Sequence, residues 1–313
     1  MKYFLNVAVF IFVFNSYSQE EKKADFCSYK AYDYLISKYE NFDIVILGEH
    51  HWIKNELKFL KKSIPVLYEN GVKCFAFEFL AFTAQEHINN LINSDTFSKS
   101  LLDSVISEKS HWYVKEYLNI LHTLWSLNQK NKDVIVLGLD VPNNFPLTIN
   151  NDSIMADIAI NYYSDTKNKM LIYCGRNHGL TKFYQCKLNN EKVDRLGNII
   201  YRNFPNQVTN IVFFPLLIEN EADIYHKFSY KLNSKKSFGM DLNNSPISNN
   251  KEGDYYLQRS DNYSIGNFYD GAIFINKKSK PCKRLKNNID VSFEDYKKIK
   301  KIIKETDIIY FKE

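Results

Sequence analysis

The sequence predicts an α/β fold: a largely parallel sheet with helices on both faces, in a single domain. Three observations carry this reading. Short runs that are apolar at every position recur along the chain, segments with helical apolar spacing separate them, and ionisable residues gather where the runs end. A strand apolar on both faces needs cover on both sides, which a parallel sheet with crossover helices supplies.

The elements follow in order. DIVILG (43–48) reads as a buried strand. NELKFLKKSIPVLYENG (55–71) reads as a helix stopped by Gly71, and VKCFAFEF (72–79) as a second strand. Residues 83–92 and 100–106 carry short helical patterns. WYVKEYLNILHTLWSLNQ (112–129) places Tyr117, Leu118, Leu121, Leu124 and Trp125 at helical spacing, so Trp112 and Tyr117 are expected in the core. DVIVLGLD (133–140) is a strand closed by Pro142. Asp152 is the expected N-cap of the helix IMADIAINYY, and KMLIYCG (169–175) is a strand. LGNIIYRNF (196–204) reads as a helix, NIVFFPLLI (210–218) and GAIFI (271–275) as strands, and VSFEDYKKIKKIIKE (291–305) as a basic amphipathic helix. The stretch 228–270, rich in Asn, Ser, Lys and Tyr, is expected to be a long-loop or hairpin excursion, a possible lid.

Composition narrows the class. A chain of 313 residues that is 45% hydrophobic has enough apolar surface for a sizeable core. A net charge of +5, spread along the sequence, leaves no nucleic-acid footprint. At the amino terminus Lys2 precedes the apolar stretch FLNVAVFIFVF, and Ser16 and Ser18 stand at signal-peptidase spacing. Residues 1–18 are therefore expected to be a cleaved secretory signal, with Gln19 first in the mature chain. A segment 19–40 and the α/β domain 41–313 follow. The protein is expected to be exported, periplasmic or extracellular, without stable membrane insertion after cleavage. Of five cysteines, Cys74 and Cys174 lie in apolar runs and read as core. Cys27, Cys186 and Cys282 lie in polar surroundings, where an oxidising compartment permits one pair.

The ends of the strands carry the chemistry, because ligands of open α/β sheets bind beyond the carboxyl ends of the strands. Glu49, His50 and His51 follow the first strand, and Glu78 ends the second. Asp140 closes the third, and Arg176, Asn177 and His178 follow the fourth. A histidine can remove a proton from water while a carboxylate fixes its tautomer, and clustered carboxylates raise one another's pKa. The same Glu49, His51, Glu78 and His178 could instead hold a divalent metal. No GxSxG elbow or glycine-rich phosphate loop occurs, so serine-nucleophile chemistry is not indicated.

LGEHH after a strand, FEF at the next strand end and GRNH later make the chain resemble the superfamily uniting erythromycin esterase-like proteins, ChaN-like haem-binding proteins and Tiki/TraB proteases. HWYVKEYLNILHTLWSLNQ followed by VIVLGLDV, then NDSIMADIAIN, YCGRNHGLTKF, RLGNIIYRNF and NFYDGAIFI are similar to the erythromycin esterase-like branch. They run in the same order over most of residues 40–276. The resemblance implies attack by water with a histidine general base, no covalent enzyme intermediate and no required cofactor. On it, Glu49 and the first-motif histidine are the activating pair, Glu78 supports them, His178 completes the cleft, and Glu56 is a further acidic position.

The chain departs from that branch in two places. One residue, not two, separates Glu49 from His51, and Trp52 follows where glycine is usual. This spacing, with FEFLAFTAQ and its Gln85, is closer to the ChaN-like motif. Lys58, Lys61 and Lys62 stand where the branch often has an arginine. On motif spacing His51 is the expected base, with His50, Glu56, Asp140, Arg176 and Asn177 at the substrate. The ligand is expected to be a small molecule or haem. The readings left open are an ester hydrolase, a haem- or metal-binding uptake protein, and a Tiki-like metal-dependent protease.

Overall fold

The computed structural model describes residues 29–144, 150–186, 192–216, 236–243, 245, 248, 265–278, 282 and 309–312. Strands are β1 (Tyr29–Lys30), β2 (Ile44–Glu49), β3 (Cys74–Ala81), β4 (Ile135–Asp140), β5 (Met170–Gly175), β6 (Phe183–Cys186), β7 (Lys192–Val193), β8 (Val208–Leu216), β9 (Phe238–Asp241), β10 (Gly271–Lys278) and β11 (Ile309–Lys312). Helices are α1 (Ala31–Ser37), α2 (Lys54–Glu69), α3 (Gln85–Asn93), α4 (Lys99–Ile106), α5 (Lys115–Asn131), α6 (Asn151–Thr166), α7 (Leu196–Asn203) and a single turn, α8 (Ile265–Phe268).

Eight strands form one sheet in the order β1-β9-β10-β8-β2-β5-β3-β4. The pairs from β10 through β4 are parallel, and β9 and β1 extend the edge antiparallel. From β2 the chain builds β3 and β4 on one side, returns to insert β5 beside β2, then crosses to β8. The change of direction falls at β2, and a crevice opens beyond the carboxyl ends at such a point. A small second sheet, β11-β6-β7, lies apart from it.

Alternation along the strands fixes what covers each face. Val45 and Leu47 of β2 pack with Leu57, Leu60, Ile88, Val105, Tyr117 and Leu121 from α2 to α5. Ile44 and Ile46 point the other way, against Met155 and Ala159 of α6 and Leu196 and Ile200 of α7. The expected helices on both faces are thus present, and burial of each such side chain contributes ~1.5–3 kcal/mol. Cys74 and Cys174 are buried within the sheet and Cys282 carries a free thiol.

One expectation needs correction. The helix expected from residue 112 starts at Lys115. An inverse γ-turn at Tyr113 (φ −71°, ψ 75°), with Val114 N–H donating to the Trp112 carbonyl, interrupts it. Trp112 therefore sits on a 3₁₀ turn, Ser107–Trp112, instead of on the helix. Of the 228–270 excursion the described residues include β9, which pairs antiparallel with β10 as a hairpin excursion would. Gln85 is structural: its amide bonds to the Val136 carbonyl and the Gly138 N–H, pinning α3 to β4. The signal segment 1–18 and the 291–305 helix lie outside the described residues. Among the described residues no helix is long and apolar enough to cross a membrane.

Candidate functional site

The geometry brings Glu49, His51, Glu78 and His178 together. Glu49 is the last residue of β2, in register with Gly175 of β5, so the turn after β5 lies directly beside it. Gly48 lets that turn approach, since a Cβ there would stand 2.9 Å from the Arg176 Cα. Glu78 sits where β3 slips in register against β4 between Phe77 and Ala81. Such an irregularity re-aims a side chain, and the Glu78 carboxylate accepts the N–H of Gly175.

Both imidazoles are oriented in the same manner. His51 Nδ1 lies 3.0 Å from Glu49 Oε1, and His178 Nδ1 lies 2.6 Å from Asp152 Oδ1. The Nε2 ends converge on one oxygen of Glu78, at 3.9 Å from His51 and 3.5 Å from His178. Each outer carboxylate is anchored in turn. The Tyr117 hydroxyl donates to Glu49 at 2.9 Å from Oε1 and 3.0 Å from Oε2. Asp152 accepts from Leu196 N–H at 2.9 Å, at the start of α7, and pairs with Arg195 at 3.0 Å. A continuous chain therefore runs Tyr117, Glu49, His51, Glu78, His178, Asp152, Arg195.

Burial opposes the charges of His178, Asp152, Glu78 and His51, and their partners overcome it. For His178 burial favours the neutral ring, but Asp152 and then Glu78 push its pKa up to about 9. For Asp152 burial acts upward, while the His178 charge and Arg195 bring it down to about 2. Glu78, despite burial, is held below the usual carboxylate range by His178 and His51. His51 is raised in the same way by Glu78 and Glu49 against its own burial. The His51 side chain is 34% exposed, so this ring faces the cleft.

The remaining expected site residues form supporting pairs. His50 is held in a separate pair: its Nδ1 lies 3.0 Å from Glu56 Oε1, and its Nε2 lies 2.7 Å from an Arg176 guanidinium nitrogen. Glu56 is fully buried, and burial lifts its pKa to about 7 although His50 pulls it down. Asp140 is buried in an ion pair with Lys109, and burial raises its pKa despite that partner. Asn177 lies half-buried in the turn between Arg176 and His178.

Sequence reading missed Tyr117, Asp152, Arg195 and Lys109. Tyr117 was legible as an inward-facing residue but not as a carboxylate partner. The expected capping role of Asp152 belongs to Asn150, whose side chain accepts the Asp152 N–H. Among the described residues no set of three or more His, Cys, Asp or Glu side chains is arranged to hold a metal ion. The Nδ1 of each imidazole and both Glu49 oxygens are engaged, which leaves the Nε2 atoms of His51 and His178 and the Glu78 carboxylate as the groups that could hold a metal.

These features define a class: an α/β protein with two carboxylate-held histidines at the carboxyl ends of a parallel sheet. No family model matches the chain, and no curated protein matches it in sequence. Solved structures do match in fold. A mutant of the erythromycin esterase EreC in its open conformation superposes with a TM-score of 0.56 at 10% identity, over 83% of this chain and 95% of that one. A succinoglycan biosynthesis protein gives 0.57 at 12% identity, over 80% and 91%. A Bacillus cereus protein gives 0.55 at 10%, over 78% and 90%. The chain therefore shares its fold with the erythromycin esterase-like proteins, and at these identities the likeness concerns fold alone.

Proposed function

We propose that this chain is a hydrolase that cleaves an ester or related bond by direct attack of water. The observation that carries the reading is the convergence of both Nε2 atoms on Glu78, with each Nδ1 held by its own carboxylate. With Nδ1–H donated to Glu49, neutral His51 carries its lone pair on Nε2. At 3.9 Å from Glu78 that nitrogen makes no hydrogen bond, and so is open to take a proton. His178, with its pKa at about 9, is a cation at neutral pH.

The roles then separate. His51 takes a proton from water as the water oxygen bonds to the carbonyl carbon. The His178 imidazolium donates to the leaving oxygen, and Glu78 keeps the two cationic rings compatible at close range. The thiol beside the site, Cys174, is buried and held well above its usual pKa, which argues against a cysteine nucleophile. The fold shared with an erythromycin esterase supports the reaction class. The amino-terminal signal adds export to this reading, checked by finding Gln19 first in the purified protein.

The test is His51→Ala and His178→Ala against a panel of esters. Both variants are expected to lose hydrolysis while keeping the wild-type circular dichroism spectrum. Full activity in His51→Ala overturns the assignment. A Soret band on haem titration without turnover of any ester would replace it with a haem-binding role. Loss of activity with chelator and its return with a divalent ion would replace it with a metal-dependent one.

A further inference from the structure

Trp52, the residue after the proposed base, adopts a backbone conformation that its side chain disfavours. Its φ is +63°, in the left-handed region. It is the third residue of a turn closed by Ile53 N–H donating to the His50 carbonyl at 3.2 Å, where glycine or asparagine is normally found. The turn is held from the backbone. Trp52 N–H donates to the Tyr117 hydroxyl at 3.4 Å, and its carbonyl accepts from Cys282 N–H at 2.7 Å. Neither contact uses the indole, so a glycine would satisfy both with less strain.

The indole does something else. Its ring lies 5.4 Å from that of Trp112 and 5.7 Å from that of His51, and Trp112 meets His51 edge-on at 4.9 Å. Trp112 is buried, whereas Trp52 is half-buried and His51 is open to the cleft. The three rings form a continuous aromatic cluster in which Trp52 and His51 are partly exposed and Trp112 is buried beneath them. A second departure lies in the same cluster. Trp112 Nε1 is one of two buried side-chain polar atoms among the described residues without a hydrogen-bond partner. Two costly features at adjacent rings beside the base follow the pattern of a site kept for function over stability.

We propose that Trp52, backed by Trp112, is a substrate subsite that stacks on a planar, apolar ring of the molecule being cleaved. This rests on the reading of His51 as the base. Aromatic faces favour flat partners over puckered ones of equal size, because a flat ring brings every atom to contact distance. The subsite thus selects planar rings adjoining the scissile bond over saturated ones.

The experiment measures binding apart from turnover. Wild-type protein is titrated calorimetrically with 2-naphthol and with decahydro-2-naphthol, which share a carbon skeleton and differ in planarity. The planar alcohol is expected to bind about tenfold more tightly. Trp52→Gly keeps the left-handed turn and removes the ring, and Trp52→Asn does the same should the glycine variant fail to fold. Both are expected to abolish the preference, and Trp52→Phe to retain most of it. In turnover, Trp52→Gly is expected to raise KM about tenfold for 2-naphthyl acetate and to lower the ratio of kcat/KM for 2-naphthyl acetate to that for methyl acetate by a similar factor. Equal binding of the two alcohols, or an undiminished preference in the ring-less variants, overturns the subsite. A Trp52-dependent preference in a protein that hydrolyses no ester supports the subsite and sinks the hydrolase reading alone.

Discussion

Replacing Asp152 with asparagine removes one charge from the row of paired acidic and imidazole groups and keeps its shape. Asp152 lies 2.6 Å from His178 Nδ1 and is the largest influence raising the pKa of that ring from 6.5 to about 9. The displacement corresponds to ~3 kcal/mol between the two protonation states. A unit charge at about 4 Å, in surroundings of effective dielectric about 20, contributes ~4 kcal/mol, so Asp152 alone is large enough to account for it. With the charge gone, burial and Arg195 both oppose the cation and Glu78 alone favours it. The His178 pKa in Asp152→Asn is therefore expected at or below 6.5. Histidine-selective NMR titration reads this directly, the His178 signal being identified by its loss in His178→Gln. A wild-type His178 titrating near 6.5, or a variant still titrating near 9, would refute the reasoning.

The sign for stability follows from the same shift. A group whose pKa is raised on folding contributes stability that is whole below its unfolded value, 6.5, and lost as pH rises through about 9. Urea unfolding of the wild type at about pH 6 and about pH 9.5 should show that loss, and Asp152→Asn should lack it.

Other predictions concern neighbouring groups. Gly175→Ala would place a Cβ 2.7 Å from His51 Cε1 and 2.8 Å from its Nε2, pushing the ring off Glu49. Ester turnover should fall about 100-fold with the fold retained by circular dichroism, and unchanged turnover would contradict the placement of His51. His50→Ala leaves Glu56 and Arg176 buried without the ring between them. It should cost about 2–4 kcal/mol in urea unfolding, far more than an exposed histidine would. The pH–rate profile should fall on its alkaline side near pH 9 as His178 loses its proton, and Asp152→Asn should move that limb to lower pH. A limb that stays in place would separate His178 from the proton transfer.

Several of these groups were legible in the chain itself. Runs such as IVILG and CFAFEF declare buried parallel strands because both faces are apolar, and Glu49, Glu78 and His178 stand out as the polar residues that end or follow such runs. Trp112 shows where local reading stops. Its helical spacing with Tyr117 is real, yet the γ-turn at Tyr113 lifts it off the helix and onto the His51 ring.

The sequence by itself determined the alternation of strands and helices, and with it the strand ends at which ionisable groups meet. Periodicity reports which way a side chain points, and that suffices for a layered sheet. Only the tertiary structure decided the partners. Tyr117 reads as one more inward residue of a helix until β2 brings Glu49 against its hydroxyl. Asp152 reads as a cap because capping and charge pairing use the same residue type, and only the docking of α6 beside the β5 turn sets it on His178. Motif spacing already favoured His51 over His50 as the base, but the partners of each come from the tertiary structure. His50 and His51 are equivalent in composition, and the turn at Trp52 sends one to Glu56 and the other to the cleft.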